Sequence, residues 1–388
     1  MLSFPESASQ NLLSQRDLFE VPDEVTYLNC ANLAPQLRAV SAAGLDAIAR
    51  MKSPWEITPP DWFSGAEILR ELAARVIGAS AEEIALVPSV SYGIAVAAAN
   101  LPVERGQSIV LLHEEYPSNF YAWKDLARRR EAEIRIVRRG IDGKWTQAVL
   151  EAIDQSTAVV SVPNCHWTDG SLIDLERVSE KARAAGASLV IDASQSLGAY
   201  PIDVGKIQPD FLVSVGYKWL LGPYALGYLY AAPKLQADGK PLEHSWLNRA
   251  GSEDFARLVE YRDEYREGAR RFDMGEHPNF ALAPMAIAAL RQILDWGVEN
   301  IRQSLGVLTQ MIAEEATKLG FVTPPAGARV NHMIGIRAPN GIPIGFGERL
   351  AEAKIFVSIR GDAIRVAPHL HNDESDVEKF FTALRKMI

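Results

Sequence analysis

Cysteine is scarce in this chain of 388 residues, which has only Cys30 and Cys165. Two cysteines with no CxxC spacing cannot build a disulfide framework, and such usage suits a reducing cytoplasm. There is no run of five like charges, and the formal net charge is -9, which argues against nucleic acid as a partner. Long apolar runs are missing too. The richest windows, 93–103 and 281–290, are short and alanine-rich, so no membrane partner is expected. The opening MLSFPESASQNLL has neither the basic n-region nor the apolar core of a signal peptide. GxxxxGK followed by Ser or Thr, a GxGxxG after a strand, and HExxH are all absent, which removes the common nucleotide and zinc-protease motifs. The close pair His369-Leu370-His371 has no ligand spacing and no cysteine nearby, so no metal site is expected. No repeat period or low-complexity tract interrupts the chain.

What remains is an ordinary globular composition, 48% hydrophobic and 23% charged, with length enough for two domains, each with its own core. From residue 84 short apolar runs alternate with amphipathic stretches. The runs predict strands over 84–87, 108–112, 134–137, 158–162, 188–191, 211–213 and 226–230. Helical stretches lie between them, over 92–100, 119–130, 146–153 and 175–185. That alternation predicts an α/β fold, a mostly parallel sheet flanked by helices. The charged stretch 253–270 reads as a helix and crossover. Two long helices follow over 281–296 and 298–319, then strands at 332–337, 355–359 and 364–366 and a helix over 374–387, together a smaller α+β unit. The expected division is an N-terminal arm over 1–20, a large domain over 21–275 and a small C-terminal domain over 276–388.

The chemistry concentrates in SLVIDASQSLGAYPIDVGKIQPDFLVSVGYK, residues 188–218. The run Leu189-Val190-Ile191 closes on Asp192, and Phe211-Leu212-Val213 is followed after four residues by Lys218. Ligands of open α/β sheets sit outside the carboxyl ends of the strands, so both charges are delivered to one rim. Alone, Asp192 reads as the cap of a helix beginning at Ser194-Gln195-Ser196, and Lys218 as a solvated strand-end lysine. Together they are the pair that an aldehyde cofactor needs, a lysine to form an imine and an acid to keep a pyridine nitrogen protonated. That cofactor is pyridoxal 5'-phosphate.

The neighbouring motifs each have a plainer alternative. Val87-Pro88-Ser89-Val90-Ser91-Tyr92-Gly93 ends a strand and opens a helix, where Ser91 and free N–H groups would hold a phosphate or merely cap the helix. Tyr116, in Glu115-Tyr116-Pro117-Ser118-Asn119, offers a ring to stack on a heteroaromatic cofactor, or a turn tyrosine. Asn164 lies just past another strand, as a partner for a ring hydroxyl or a turn former. Arg365, in the apolar run Ile364-Arg365-Val366, wants a carboxylate, either a substrate or a structural ion-pair partner.

These elements, in this order, resemble the class V aminotransferase group of fold-type I pyridoxal-phosphate enzymes, which includes kynureninase, cysteine desulfurases and isopenicillin-N-epimerase-like proteins. The similarity runs from Tyr27-Leu28-Asn29-Cys30-Ala31-Asn32 to His369-Leu370-His371-Asn372. Its most specific part spans Asp192-x-x-Gln195 to Gly216-Tyr217-Lys218-Trp219. The resemblance implies that Lys218 forms the internal aldimine and Asp192 pairs with the pyridine nitrogen. It places Gln195 and Asn164 near the ring hydroxyl, Asn164 also near substrate, and Tyr116 on the ring. Val90 through its backbone, Ser91 and Tyr217 would hold the phosphate, Arg365 the substrate α-carboxylate, and Asn32 would line the pocket.

The chain departs from the family in three places. Between Ser358 and Arg365 there is neither the loop nor the nucleophilic cysteine of the desulfurases. Relatives carry a small residue after a glycine that reaches the neighbouring subunit's phosphate, where Gly275 is here followed by Glu276. His371 stands where a tyrosine is usual. The resemblance further implies a homodimer acting on a small-molecule substrate, an α-amino acid, with aminotransferase as the leading activity. A C–S or C–C lyase (cysteine-conjugate or kynureninase-like) and an amino-acid epimerase share the same residues. The presence of both lysine and acid argues against a non-catalytic binding protein.

Overall fold

The computed structural model describes residues 10–140, 143–339 and 341–387, so the first nine residues of the expected N-terminal arm lie outside the described residues. A short strand β1 (Thr26–Tyr27) and helices α1 (Arg38–Arg50) and α2 (Asp61–Ile77) come first. The α/β alternation follows: β2 (Ile84–Val87), α3 (Val90–Asn100), β3 (Ser108–Leu112), α4 (Pro117–Arg130), β4 (Glu133–Val137), α5 (Thr146–Ala152) and β5 (Thr157–Pro163). It continues with α6 (Leu175–Ala185), β6 (Ser188–Asp192), α7 (Val204–Ile207), β7 (Phe211–Val215) and β8 (Gly227–Ala231). The chain ends with α8 (Leu282–Trp296), α9 (Val298–Lys318), β9 (Ile334–Arg337), α10 (Phe346–Glu352), β10 (Ile355–Phe356), β11 (Ser358–Arg360), β12 (Ala363–Val366) and α11 (Glu374–Arg385).

Seven strands form the main sheet in the order β2-β8-β7-β6-β5-β3-β4, and only β8 runs against the rest. Its inner strands are buried on both faces, the reason they read as unbroken apolar runs. Successive side chains serve opposite layers. Ile84 and Leu86 of β2 pack in the core with α2, while Ala85 and Val87 pack with α3. Gly93 lets α3 lie close on the sheet, because a Cβ there would stand 2.5 Å from Cγ2 of Val213. A third core gathers α9, β9, β12 and α11, and the N-terminal segment joins it: β1 pairs with β10, and the Cys30 N–H donates to the Ala367 carbonyl.

Three expectations need correction. After Asp192 the chain makes a series of turns rather than a helix. The stretch 253–270 holds only 3-10 turns, at Phe255–Arg257 and Gly268–Phe272. The strand expected over 355–359 is two: β10 pairs with β1, and β11 pairs with β12 in a separate three-stranded sheet. Period-two hydrophobicity marks extended chain but carries no information about which partner it meets.

Candidate active site

Strand register builds the site. Val87 at the end of β2 faces Gly227, which faces Val215 at the end of β7. Val213 faces Asp192, and Asp192 faces Pro163 at the end of β5. Everything that follows these strand ends therefore leaves one rim: the Val90–Ser91 turn, Lys218, Asp192, Asn164 and, past β3, Glu115 and Tyr116. The backbone around the rim is held in unusual conformations. Glu114, Leu221 and Ala225 are non-glycine residues with φ of 57°, 55° and 63°, a left-handed region that costs energy and is retained where the surroundings impose it. Gly216, just before Tyr217 and Lys218, has no room for a side chain, since a Cβ would meet the Leu226 carbonyl oxygen at 2.6 Å.

Lys218 is buried, and its Nζ lies 5.4 Å from the centre of the Tyr116 ring and 5.8 Å from that of Tyr217. Burial draws its pKa down to about 8; Arg365 and Arg360 act in the same direction, and Asp192 opposes them. Asp192 is buried as well, and its Oδ1 accepts the Ser194 N–H at 3.0 Å. Burial raises its carboxyl above the usual range against the pull of Ser194 and Lys218. Loss of water is the leading cause in both residues, so each is displaced toward its neutral form. A cationic ring nitrogen against Asp192 would favour its charged form.

At the α3 turn the cap is Ser89, not Ser91: Ser89 Oγ accepts the Tyr92 N–H at 3.2 Å and lies 2.9 Å from Ser91 Oγ. Ser91 thus sits inside the first turn, with its hydroxyl and the N–H groups of Val90 and Ser91 at the positive end of the helix. Asn164 is buried with no partner for Oδ1. Gln195 is anchored, donating to the Ala31 carbonyl at 3.0 Å and accepting from Trp219 Nε1 at 3.1 Å, which leaves one amide hydrogen over. The first of these bonds, with the Ala34 N–H to the Tyr217 carbonyl at 3.1 Å, pins the N-terminal loop over the rim. Asn32 lies exposed on that loop, its Oδ1 3.5 Å from Nη2 of Arg360.

Arg365 has surroundings that bear on the alternatives left open for it. It is 1% exposed, Nη1 donates to the Trp167 carbonyl at 2.8 Å, and Nε has no partner. No carboxylate of the described residues pairs with it, so the structural ion-pair alternative does not hold. Burial, reinforced by Arg360, lowers even this guanidinium to about 9. An arginine so desolvated needs an anion. His371 does not reach the site. It is buried against Phe19 in the third core, its Nε2 2.9 Å from the Tyr27 carbonyl. His277 is likewise buried, beside Asp273.

Two residues near the rim were not singled out from sequence: Trp167 and Glu115. The Trp167 ring meets Tyr116 edge-on at 5.5 Å, and the Arg360 guanidinium lies 5.9 Å from its centre. The fit to pyridoxal phosphate is good in kind: a helix N-terminus for the phosphate, an unpartnered buried amide oxygen, an acid and a low-pKa lysine.

The family model for class-V aminotransferases matches residues 62–379. The chain belongs to the class-V aminotransferase family. An uncharacterized aminotransferase of Bacillus subtilis is 28% identical over 313 residues, 80% of each chain. Among solved structures, the apo cysteine desulfurase of Thermococcus onnurineus superposes with a TM-score of 0.83 at 20% identity, covering 97% of this chain and 99% of that one. A lysine-to-alanine mutant of C-DES, with glycine covalently linked to its PLP cofactor, gives 0.85 at 18% identity over 96% and 99%. The architecture is therefore that of fold-type I, and the protein is a pyridoxal-phosphate-dependent enzyme of this family.

Proposed function

We propose that this class-V enzyme transfers the amino group of a free α-amino acid to a keto acid. The observation that carries the amino-acid reading is Arg365, a buried guanidinium without a carboxylate of its own, on the rim that also holds Lys218. The bound cofactor supplies an electron sink for charge developing at Cα. Lys218, with a pKa near working pH, takes the Cα proton of the donor amino acid through Nζ and, in the second half of the reaction, supplies one to Cα of the acceptor. Asp192 holds the ring nitrogen protonated, Tyr116 covers the ring, and Asn164 and Gln195 address its hydroxyl. The Val90 backbone, Ser91 and Tyr217 hold the phosphate. Arg365 fixes the α-carboxylate so that the Cα–H bond stands across the ring, with Asn32 lining the pocket.

A desulfurase would need a reactive thiol, whereas both cysteines here are buried and their pKa values raised by burial. A two-residue turn, Gly361-Asp362, joins β11 to β12 where a desulfurase carries its cysteine loop. The test is a panel of amino acids with and without pyruvate or 2-oxoglutarate, following keto acid, ammonia and sulfide together. Turnover that requires a keto-acid acceptor supports transamination. Acceptor-independent ammonia release would instead make the enzyme a lyase, and inversion without either product an epimerase.

We further infer a homodimer in a reducing cytoplasm. Leu45, Ile48 and Met51 form an exposed apolar stripe along α1 and its cap, continued by Trp55. The segment Gly275-Glu276-His277-Pro278-Asn279 would border the neighbouring pocket. Light scattering at micromolar concentration should give twice the chain mass; an active monomer would overturn the dimer. No helix of the described residues is long and apolar enough to cross a membrane.

A further inference from the structure

Glu115 is a buried acid that the reaction outlined above does not use. It lies three residues past β3, and its carboxyl is withdrawn from water although glutamate at a strand end is ordinarily solvated. Oε1 accepts the Tyr116 N–H at 2.8 Å, and Oε2 is buried without a partner. Facing it is Asn119, whose orientation is set: Oδ1 accepts from Ser161 Oγ at 2.7 Å and from Trp123 Nε1 at 3.2 Å. The Asn119 amide nitrogen, also buried, is thereby left on the Glu115 side, where it and the Leu112 backbone pull the Glu115 carboxyl down against its burial. From the end of β6, Asp192 is the titratable group that faces Glu115, and Lys218 faces Asp192 from beyond β7.

We propose that Glu115 is a positioning residue of the cofactor site, a second acid that carries a proton beside Asp192 and gives it up when a cationic ring nitrogen binds there. This rests on the cofactor reading above. Two buried carboxylates cannot both be charged cheaply beside the single cation Lys218. Burial first, and Asp192 second, hold the Glu115 carboxyl up at about 8, so near neutrality Glu115 carries a proton. A pyridinium against Asp192 adds the missing positive charge, and the N–H groups of Tyr116 and Asn119 are in place to receive the anion. Because one of those donors belongs to Tyr116, the ionisation also tightens the residue that covers the ring.

The test uses pyridoxamine 5'-phosphate, which binds without forming an imine and so leaves Lys218 chemistry out. Glu115→Gln imitates the protonated acid. Wild type and variant should bind alike at about pH 6, and wild type about tenfold more tightly at about pH 9, the equivalent of one pKa unit. The ring nitrogen's titration is coupled to that of Glu115, so the ratio reads the pair, and its change between the two pH values is the signature sought. Infrared spectra of wild type with carbon-13-labelled glutamate provide a second arm that needs no variant. A protonated-carboxyl band in the cofactor-free protein at about pH 6 should diminish on loading. A pH-independent affinity ratio, or no such band, overturns the proposal while leaving the cofactor reading intact. Failure of the wild type to bind pyridoxamine phosphate at any pH overturns both.

Discussion

The Nζ of Lys218 and the ring of Tyr116 lie 5.4 Å apart, although their strands, β7 and β3, are separated in the sheet by β6 and β5. Residues from two separated strands of the rim thus come together across the ends of β6 and β5, which carry Asp192 and lead into Asn164.

Lys218 should carry the cofactor. Borohydride reduction of the loaded enzyme and peptide mapping should find pyridoxyl-lysine at 218, and label on another lysine would refute the site. The pH dependence has a definite sign. The neutral amine is the attacking form, and burial lowers the pKa to about 8, so loading should speed up as pH rises and level off above that value. Stopped-flow loading rates that keep rising to the ordinary lysine value would contradict the buried environment.

Asp192 should matter for chemistry more than for folding, since its one hydrogen bond to the Ser194 N–H lies in a turn rather than in a helix cap. Asp192→Asn keeps that acceptor and loses the charge. Turnover should fall by about 3 kcal/mol of barrier or more, the scale of a lost oriented electrostatic contact, with the thermal midpoint little changed. Near-normal kcat in this variant would return Asp192 to a structural role.

Arg365→Ala should weaken α-amino acid binding by about 2–4 kcal/mol, the usual cost of removing a desolvated charge partner, and leave cofactor absorbance in place. Amines without a carboxylate should be poor wild-type substrates and respond little to the change. Loss of the cofactor or of the fold in the variant would show that the bond to the Trp167 carbonyl is what the arginine is for.

The third core should fail in acid. His332, His369 and His371 are buried, and burial lowers their pKa values to about 4, 3 and 4. Their folded values lie below the unfolded value of 6.5, so the stability they contribute is present above that pH and is lost as pH falls from there toward 4. Each can contribute up to roughly 1.4 kcal/mol per pH unit in that window. Urea midpoints measured against pH should fall steeply below the histidine range. His369→Phe, which removes a ring with both nitrogens unpartnered, should flatten the slope.

The strands of the main sheet were legible because both faces are buried, which writes each one as an unbroken apolar run. Asp192 and Lys218 stood out as charges at the ends of two such runs. Helices α1 and α2 escaped notice, because their apolar residues are spread among glycine, tryptophan and charge and become a face only against α8. The break between Phe356 and Ser358 was equally hidden, since β1, its partner on one side, lies more than three hundred residues earlier in the chain.

The sequence by itself determined the type of fold, the lysine and its acid, and the candidates for phosphate, ring and carboxylate. Tertiary structure decided their states. Ser89 caps α3 because its Oγ reaches the Tyr92 N–H, which frees Ser91. Arg365 lacks a carboxylate because none of its neighbours among the described residues brings one. Glu115, outwardly a solvated strand-end glutamate, becomes a buried acid because parallel register sets the ends of β3, β5 and β6 side by side. Burial and charge pairing depend on what distant segments place around a residue, and composition and spacing do not carry that information.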